Sequence, residues 1–171
     1  MLAIPFCLLG CTTAWLSGTG DLKDIPVVVA YALAPGASPK KGVAAASDKG
    51  GILFSPMLQR SSDESINADT GGLDHSFSQW VRMTWRTGSG IDFDDVHGGW
   101  KGGEIVGDHT VKVRERIPDD VFAYVRAKQG RAIVLHFQLK DDGVLFAWDV
   151  QELNKTKFGQ ELVYSMHGGD F

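Results

Sequence analysis

The stretch Ile133-Val134-Leu135-His136-Phe137-Gln138-Leu139, then Asp141-Asp142-Gly143, then Val144-Leu145-Phe146-Ala147-Trp148-Asp149-Val150-Gln151 decides the fold. Ile133, Leu135, Phe137 and Leu139 alternate with other residues, the period that puts successive side chains on opposite faces of a strand. On the returning segment Val144, Phe146, Trp148 and Val150 share one face, with Leu145 and Ala147 on the other. Asp141-Asp142-Gly143 reads as the turn, with glycine supplying a positive φ. The hairpin makes antiparallel sheet the organising element. His136 falls among Ala132 and Val134, which reads as a half-buried structural histidine and not as a base.

Outward from the hairpin, Ile117-Pro118-Asp119-Asp120 opens a helix near residues 118–129. Pro118 suits the first helical position and Asp119 and Asp120 complement the dipole of the first turn. Val121, Phe122 and Val125 form its apolar face, and Gly130 is the expected stop. Upstream, Phe77 to Arg86 alternates Val81, Met83 and Trp85 against Arg82, Thr84 and Arg86. His109 to Glu115 repeats the pattern with Val111 and Val113 inward. Ile25 to Leu33 is a β-branched run of strand length and Ile52 to Phe54 a brief strand. Ala34 to Gly51 and the polar Arg60 to Gly72 read as loops. Glu161 to Met166 reads as a last short strand, and His167-Gly168-Gly169-Asp170-Phe171 as a tail. The expected class is α+β, mainly antiparallel sheet of about five to seven strands with one principal helix, in a single domain over residues 25–171.

A hydrophobic fraction of 43% against 22% charged residues is that of a globular chain, not a disordered one. A formal net charge of −4 argues against nucleic acid as a partner, since that would need a basic face. The only cysteines, Cys7 and Cys11, stand near the start, so the domain has no disulfide framework and no zinc-thiolate set.

Leu2 to Leu9 is apolar apart from Pro5 and is followed by Gly10 and Cys11. Leu8-Leu9-Gly10-Cys11 resembles the lipobox of bacterial lipoproteins. The resemblance implies a signal peptide over residues 1–10, lipidation of Cys11, and a tether over residues 11–24 that includes Trp15. Two or three acyl chains hold a protein at a bilayer far more firmly than one, because each buried methylene contributes about 0.8 kcal/mol. The alternative is that Leu2–Leu9 is the first strand of the domain and Cys11 a buried thiol.

The usual signatures of catalysis are missing from the sequence: no nucleophile elbow, phosphate loop, dinucleotide fingerprint or His-Glu-x-x-His. The chain is therefore read as a non-enzyme with no cofactor. Its one unusual polar segment is Gly88 to Gly107, in which seven of twenty residues are glycine, interleaved with Asp92, Asp94, Asp95, His97, Trp100 and Lys101. Alternate carboxylates beside an imidazole suggest a cation. The segment lacks the glycine and terminal glutamate of an EF-hand loop and a fourth ligand, so no metal is assigned. Two readings of Trp100 stay open: an aromatic anchor presented to a partner, or a ring folded back on the sheet.

Val81-Arg82-Met83-Thr84-Trp85, the glycine-rich segment, Ile117-Pro118-Asp119-Asp120, Asp142-Gly143 and Trp148-Asp149 resemble, with the lipobox, small lipoproteins that act as immunity proteins against type VI secretion phospholipase effectors. That resemblance implies a lipid-anchored inhibitor on the periplasmic side of the outer membrane, with a phospholipase-like toxin as partner. Asp92, Asp94, Asp95, His97, Trp100 and Lys101 are the expected partner-binding residues, their acids matching a basic, phosphate-binding cleft. An envelope structural or assembly lipoprotein, or a cation- or ligand-binding module, is the alternative.

Overall fold

A computed structural model describes Leu22 and residues 25–50, 52–59, 64–69, 77–156 and 159–171. The lipobox, the signal segment and most of the tether lie outside the described residues. In chain order the strands are β1 (Val27–Leu33), β2 (Lys40–Ser47), β3 (Ile52–Leu58), β4 (Glu64–Asp69), β5 (Val81–Thr87), β6 (Asp92–Asp94), β7 (Gly99–Lys101) and β8 (Glu104–Val111). A short 3-10 turn (Arg114–Arg116) leads to helix α1 (Asp119–Arg126), and β9 (Arg131–Leu139), β10 (Val144–Thr156) and β11 (Gly159–Gly169) complete the fold.

The strands form a five-stranded sheet in the order β11-β10-β9-β1-β4, a four-stranded sheet in the order β3-β2-β5-β8, and the small β6-β7 hairpin. All described pairings are antiparallel except β1 with β9, which run parallel with Val27 opposite Ile133 and Leu33 opposite Leu139. The class is thus α+β, mainly antiparallel, with one principal helix. Strands that sequence reading passed over, β2, β4, β6 and β7, account for the larger number of elements.

The alternation read from sequence builds the core. Val27, Val29, Tyr31 and Leu33 of β1, Ile133 to Leu139 of β9 at alternate positions, and Phe146, Trp148 and Val150 of β10 face Val43, Val81, Met83 and Trp85 of the other sheet. Val121, Phe122 and Val125 of α1 close one end of this cluster, and the Phe122 ring meets Phe77 edge-on at 4.9 Å. Pro118 caps the helix from an extended conformation (φ −60°, ψ 148°) instead of entering its first turn, and Gly130 reverses the chain at φ +85°. Leu22, which the sequence assigned to the tether, packs against the core and accepts the Phe77 amide.

Two further sequence expectations change at the turns and the C-terminus. Gly143 does not take a positive φ; the β9–β10 turn spans four residues, because Leu139 pairs with Val144, and Lys140 N–H donates to the Gly143 carbonyl at 2.8 Å. The expected C-terminal tail is the end of β11, with Gly168 opposite Trp148 and Gly169 opposite Ala147. Glycine is required there because a Cβ on Gly168 would stand 2.7 Å from the Trp148 ring. Asp170 fastens the end: it accepts the Phe146 amide at 2.9 Å and pairs with Arg116 at 2.5 Å.

Polar latches hold the two ends of the sandwich. At one, Lys40 of β2 is buried, donates to the Ser38 carbonyl at 2.9 Å, and pairs with Asp141 in the β9–β10 turn, which also accepts from Ser38. At the other, Glu152 of β10 takes Lys128 and, at 2.6 Å, Arg131. The Arg131 guanidinium also lies 3.6 Å from the centre of the Tyr124 ring.

Candidate functional site

The glycine-rich segment folds as a hairpin that leans over the outer face of the four-stranded sheet. In it Asp92 pairs with Lys101, Phe93 with Trp100 and Asp94 with Gly99. The sequence forms strands here because Phe93 and Trp100 alternate with polar residues, and their rings pack edge-on at 5.1 Å. The glycines supply the bends. Gly98 closes the turn at φ +63°, and Gly102 and Gly103 lead out at φ +71° and +60°.

Asp94 organises the turn. One carboxylate oxygen accepts the amides of Val96 at 3.0 Å and His97 at 3.2 Å, and the other meets His97 Nδ1 at 3.0 Å. The Asp94 carbonyl accepts the Gly98 amide at 2.8 Å. The His97 ring, then the His97 amide, hold the Asp94 carboxyl below the usual carboxylate range.

Trp100 is half-buried and folds back on the sheet, its indole N–H donating to the Val43 carbonyl at 2.9 Å. Of the two readings of Trp100, the structure shows the second. Gly42, at φ +52°, leaves the space: a Cβ there would stand 3.4 Å from the Trp100 ring and 3.0 Å from Ile91. Arg86 ties the hairpin's exit by donating to the Gly102 carbonyl at 2.8 Å.

The sequence-predicted residues are therefore brought together in one hairpin, with different duties. Asp94 and Trp100 are internal supports. Asp92 and Lys101 face each other loosely across the strands at 3.8 Å. Asp95 is exposed and makes no ion pair among the described residues, and His97 is exposed apart from its bond to Asp94. Sequence reading missed Val96, which at 87% exposure is the most exposed large apolar residue described. Its signal was available: the two three-residue polar–aromatic–polar or glycine–aromatic–lysine units flank Asp95-Val96-His97-Gly98 symmetrically.

Beneath the hairpin lies a groove of about 280 Å³, floored by Ala44, Ala46 and Thr84 and bordered by Trp100, Arg82 and Arg86. Arg82 is neutralised by a two-point pair with Asp108, with Nε to Oδ1 at 2.6 Å, which holds the Asp108 carboxyl low. Elsewhere His136 Nε2 lies 2.9 Å from Asp149 Oδ2 on the outer face of the other sheet, where the sequence expected a half-buried histidine. Among the described residues no group of three His, Cys, Asp or Glu is placed to hold a metal ion, and no helix is long and apolar enough to cross a membrane. No protein-family model matches the chain, and neither the curated proteins nor the solved structures contain a match.

Proposed function

We propose that the chain is a lipid-anchored binding protein without catalytic activity, attached through Cys11 on the periplasmic side of the outer membrane. In this reading it is an immunity protein that blocks a phospholipase-like type VI effector by occluding its active site. The observation that carries the binding role is the β6–β7 turn. Asp94 locks it with backbone and side-chain hydrogen bonds, and it displays Asp95, Val96 and His97 to solvent. A surface loop already held in one conformation has little ordering entropy left to lose on binding, which is what an inhibitory loop needs. Val96 is the apolar contact, and Asp95 and Asp92 supply negative charge toward a cleft built for phosphate. The lipid anchor rests on the Leu8-Leu9-Gly10-Cys11 pattern, and the partner class on the resemblance to immunity lipoproteins.

The test is capture from native envelope extracts with the full chain and with Val96→Asp and Asp95→Lys variants. A lipase-like protein recovered by the wild-type chain and lost with both variants is the expected result. Capture of envelope-assembly components alone, unchanged by the two substitutions, would instead support the structural-lipoprotein alternative.

A further inference from the structure

We propose that the groove between the β6–β7 hairpin and the outer face of the four-stranded sheet binds a small organic acid, a monocarboxylate with a short apolar body. Such binding depends on neither the lipid anchor nor a protein partner, and it gives the hairpin a role beyond display of its tip.

Size sets the first limit. The groove of about 280 Å³ has room for about nine waters at liquid density. That is the small end of ligand pockets, suited to a short-chain or single-ring acid and too little for a peptide segment. The lining sets the second. Ala44 and Ala46 of β2 keep the floor low, and Thr84 of β5 lies directly opposite Ala44 in the ladder. Trp100, half-buried, and Ile105, 46% exposed, supply apolar walls. A longer side chain at either alanine would fill the space, so the concavity is written into β2 itself.

Charge sets the third. Arg82, Thr84 and Arg86 alternate along β5 and so share the groove's face. Arg82 is taken up by its two-point pair with Asp108. Arg86 is half-buried and makes no ion pair among the described residues; one of its guanidinium N–H groups donates to the Gly102 carbonyl at 2.8 Å, and the others remain. Lys41 stands opposite Arg86 on the same face, exposed and also without an ion pair among the described residues. The Arg86 stem is held in place, because a Cβ on Gly42 would stand 3.3 Å from Arg86 Cδ and 3.4 Å from the Trp100 ring. Stem and ring therefore converge over that glycine. A fixed guanidinium with donors to spare, at the border of an apolar groove, is matched by a carboxylate, whose two oxygens meet the planar fork. A bare inorganic anion would leave the indole and the alanine floor uncovered, and a neutral apolar molecule would leave Arg86 uncompensated.

The experiment titrates the full chain with hexanoate, hexan-1-ol, acetate and inorganic phosphate, and follows the Trp100 indole N–H and the Gly99 amide by nuclear magnetic resonance. Trp100→Phe identifies the indole signal, and the indoles of Trp85 and Trp148, buried in the core, are internal controls. The expected result is a saturable shift of both signals with hexanoate, at concentrations several-fold lower than any of the other three probes requires. Arg86→Gln should weaken hexanoate several-fold and leave hexan-1-ol unchanged. Ala46→Leu fills the floor, leaves Arg86 in place, and should abolish the hexanoate response. Equal responses to hexanoate and hexan-1-ol overturn the carboxylate. Equal responses to hexanoate and to acetate or phosphate overturn the apolar body. No saturable response, or a response that survives Ala46→Leu, overturns the site. The wild-type comparison of acid with alcohol and the Ala46→Leu variant remain decisive even where Arg86→Gln loosens the hairpin. None of these outcomes bears on capture of a protein partner by Asp95 and Val96, so the groove and the proposed function fail separately.

Discussion

Single residues in this fold are constrained most where a missing side chain makes room for an aromatic ring. Gly107 lies against Trp85 so closely that a Cβ would stand 1.9 Å from the indole, and Gly168 does the same for Trp148 at 2.7 Å. Gly168→Ala should therefore push the Trp148 ring off its rotamer and cost about 1–3 kcal/mol in urea unfolding. Gly143→Val is the informative contrast. Nothing lies within 4 Å of its Cβ and its φ is not positive, so the change should stay within about 0.5 kcal/mol. If both glycines behave alike, the assignment of Gly168 to ring clearance is wrong. Trp100 belongs with the supports and not with free surface residues. Trp100→Ala removes a half-buried ring, the bond to Val43 and the edge contact with Phe93. It should destabilise by about 1–3 kcal/mol, less than full truncation of a core tryptophan.

At the scale of elements, the β6–β7 hairpin owes its shape to one carboxylate, and that gives it its own pH response. Asp94 is held below the usual carboxylate range by His97, so the locked turn should persist through neutral pH. It should loosen only as acid protonates Asp94 below that range. Asp94→Ala should then abolish exchange protection of the Val96 and His97 amides at neutral pH, since it removes the carboxylate that accepts them. The melting temperature should barely move, since the turn adds no core; slow exchange at those amides in the variant would show that the strands alone fix the turn.

Legibility from sequence followed the same physics. The β9–β10 hairpin, α1 and the Val81-Met83-Trp85 alternation were readable because each buries large apolar side chains at a regular period. Strand β2 was not, because its core face is supplied by Val43 and Ala45 within a run of alanines that carries no strand signature. The hairpin hid behind its glycines, and the end of β11 hid behind Gly168-Gly169, which resemble a turn but serve Trp148 and Ala147. The parallel pairing of β1 with β9 joins segments far apart in the chain, and local pattern holds no record of it. In the candidate site, sequence found the acids and Trp100 but not their division into supports and exposed tip, because that division depends on the Asp94 hydrogen bonds. The edge strands show a related economy of design. Ser165 on β11 and Val106 on β8 are each an extra residue relative to the neighbouring strand, and such bulges discourage open-edge pairing.

Across the whole molecule, ionic contacts stitch together parts that the sheets alone leave separate. Asp141 joins the hairpin turn of one sheet to Lys40 of the other, Glu152 joins β10 to the end of α1, and Asp170 joins the C-terminus to Arg116. In each case the basic partner holds the carboxyl below its ordinary range, with Lys40 acting first on Asp141, Lys128 on Glu152 and Arg116 on Asp170. A carboxyl whose folded pKa lies below its unfolded value stabilises the fold fully above the unfolded value, about 3.9 for Asp and 4.3 for Glu. That stabilisation is lost as pH falls through the folded value. The melting temperature should accordingly be flat from neutrality down to about pH 5 and then fall steeply. Asp170→Asn tests the origin of the fall, because the amide still accepts from the Phe146 amide but carries no charge for Arg116. The variant should melt lower than the wild type at pH 7, and the gap should narrow as acid protonates Asp170 in the wild type. Parallel melting curves, with a gap that stays constant between neutrality and the acid limb, would mean that Asp170 contributes through its shape and not its charge. Combining Asp170→Asn with Asp141→Asn should flatten the acid limb further than either alone, since the two pairs sit at separate places on the fold and share no partner.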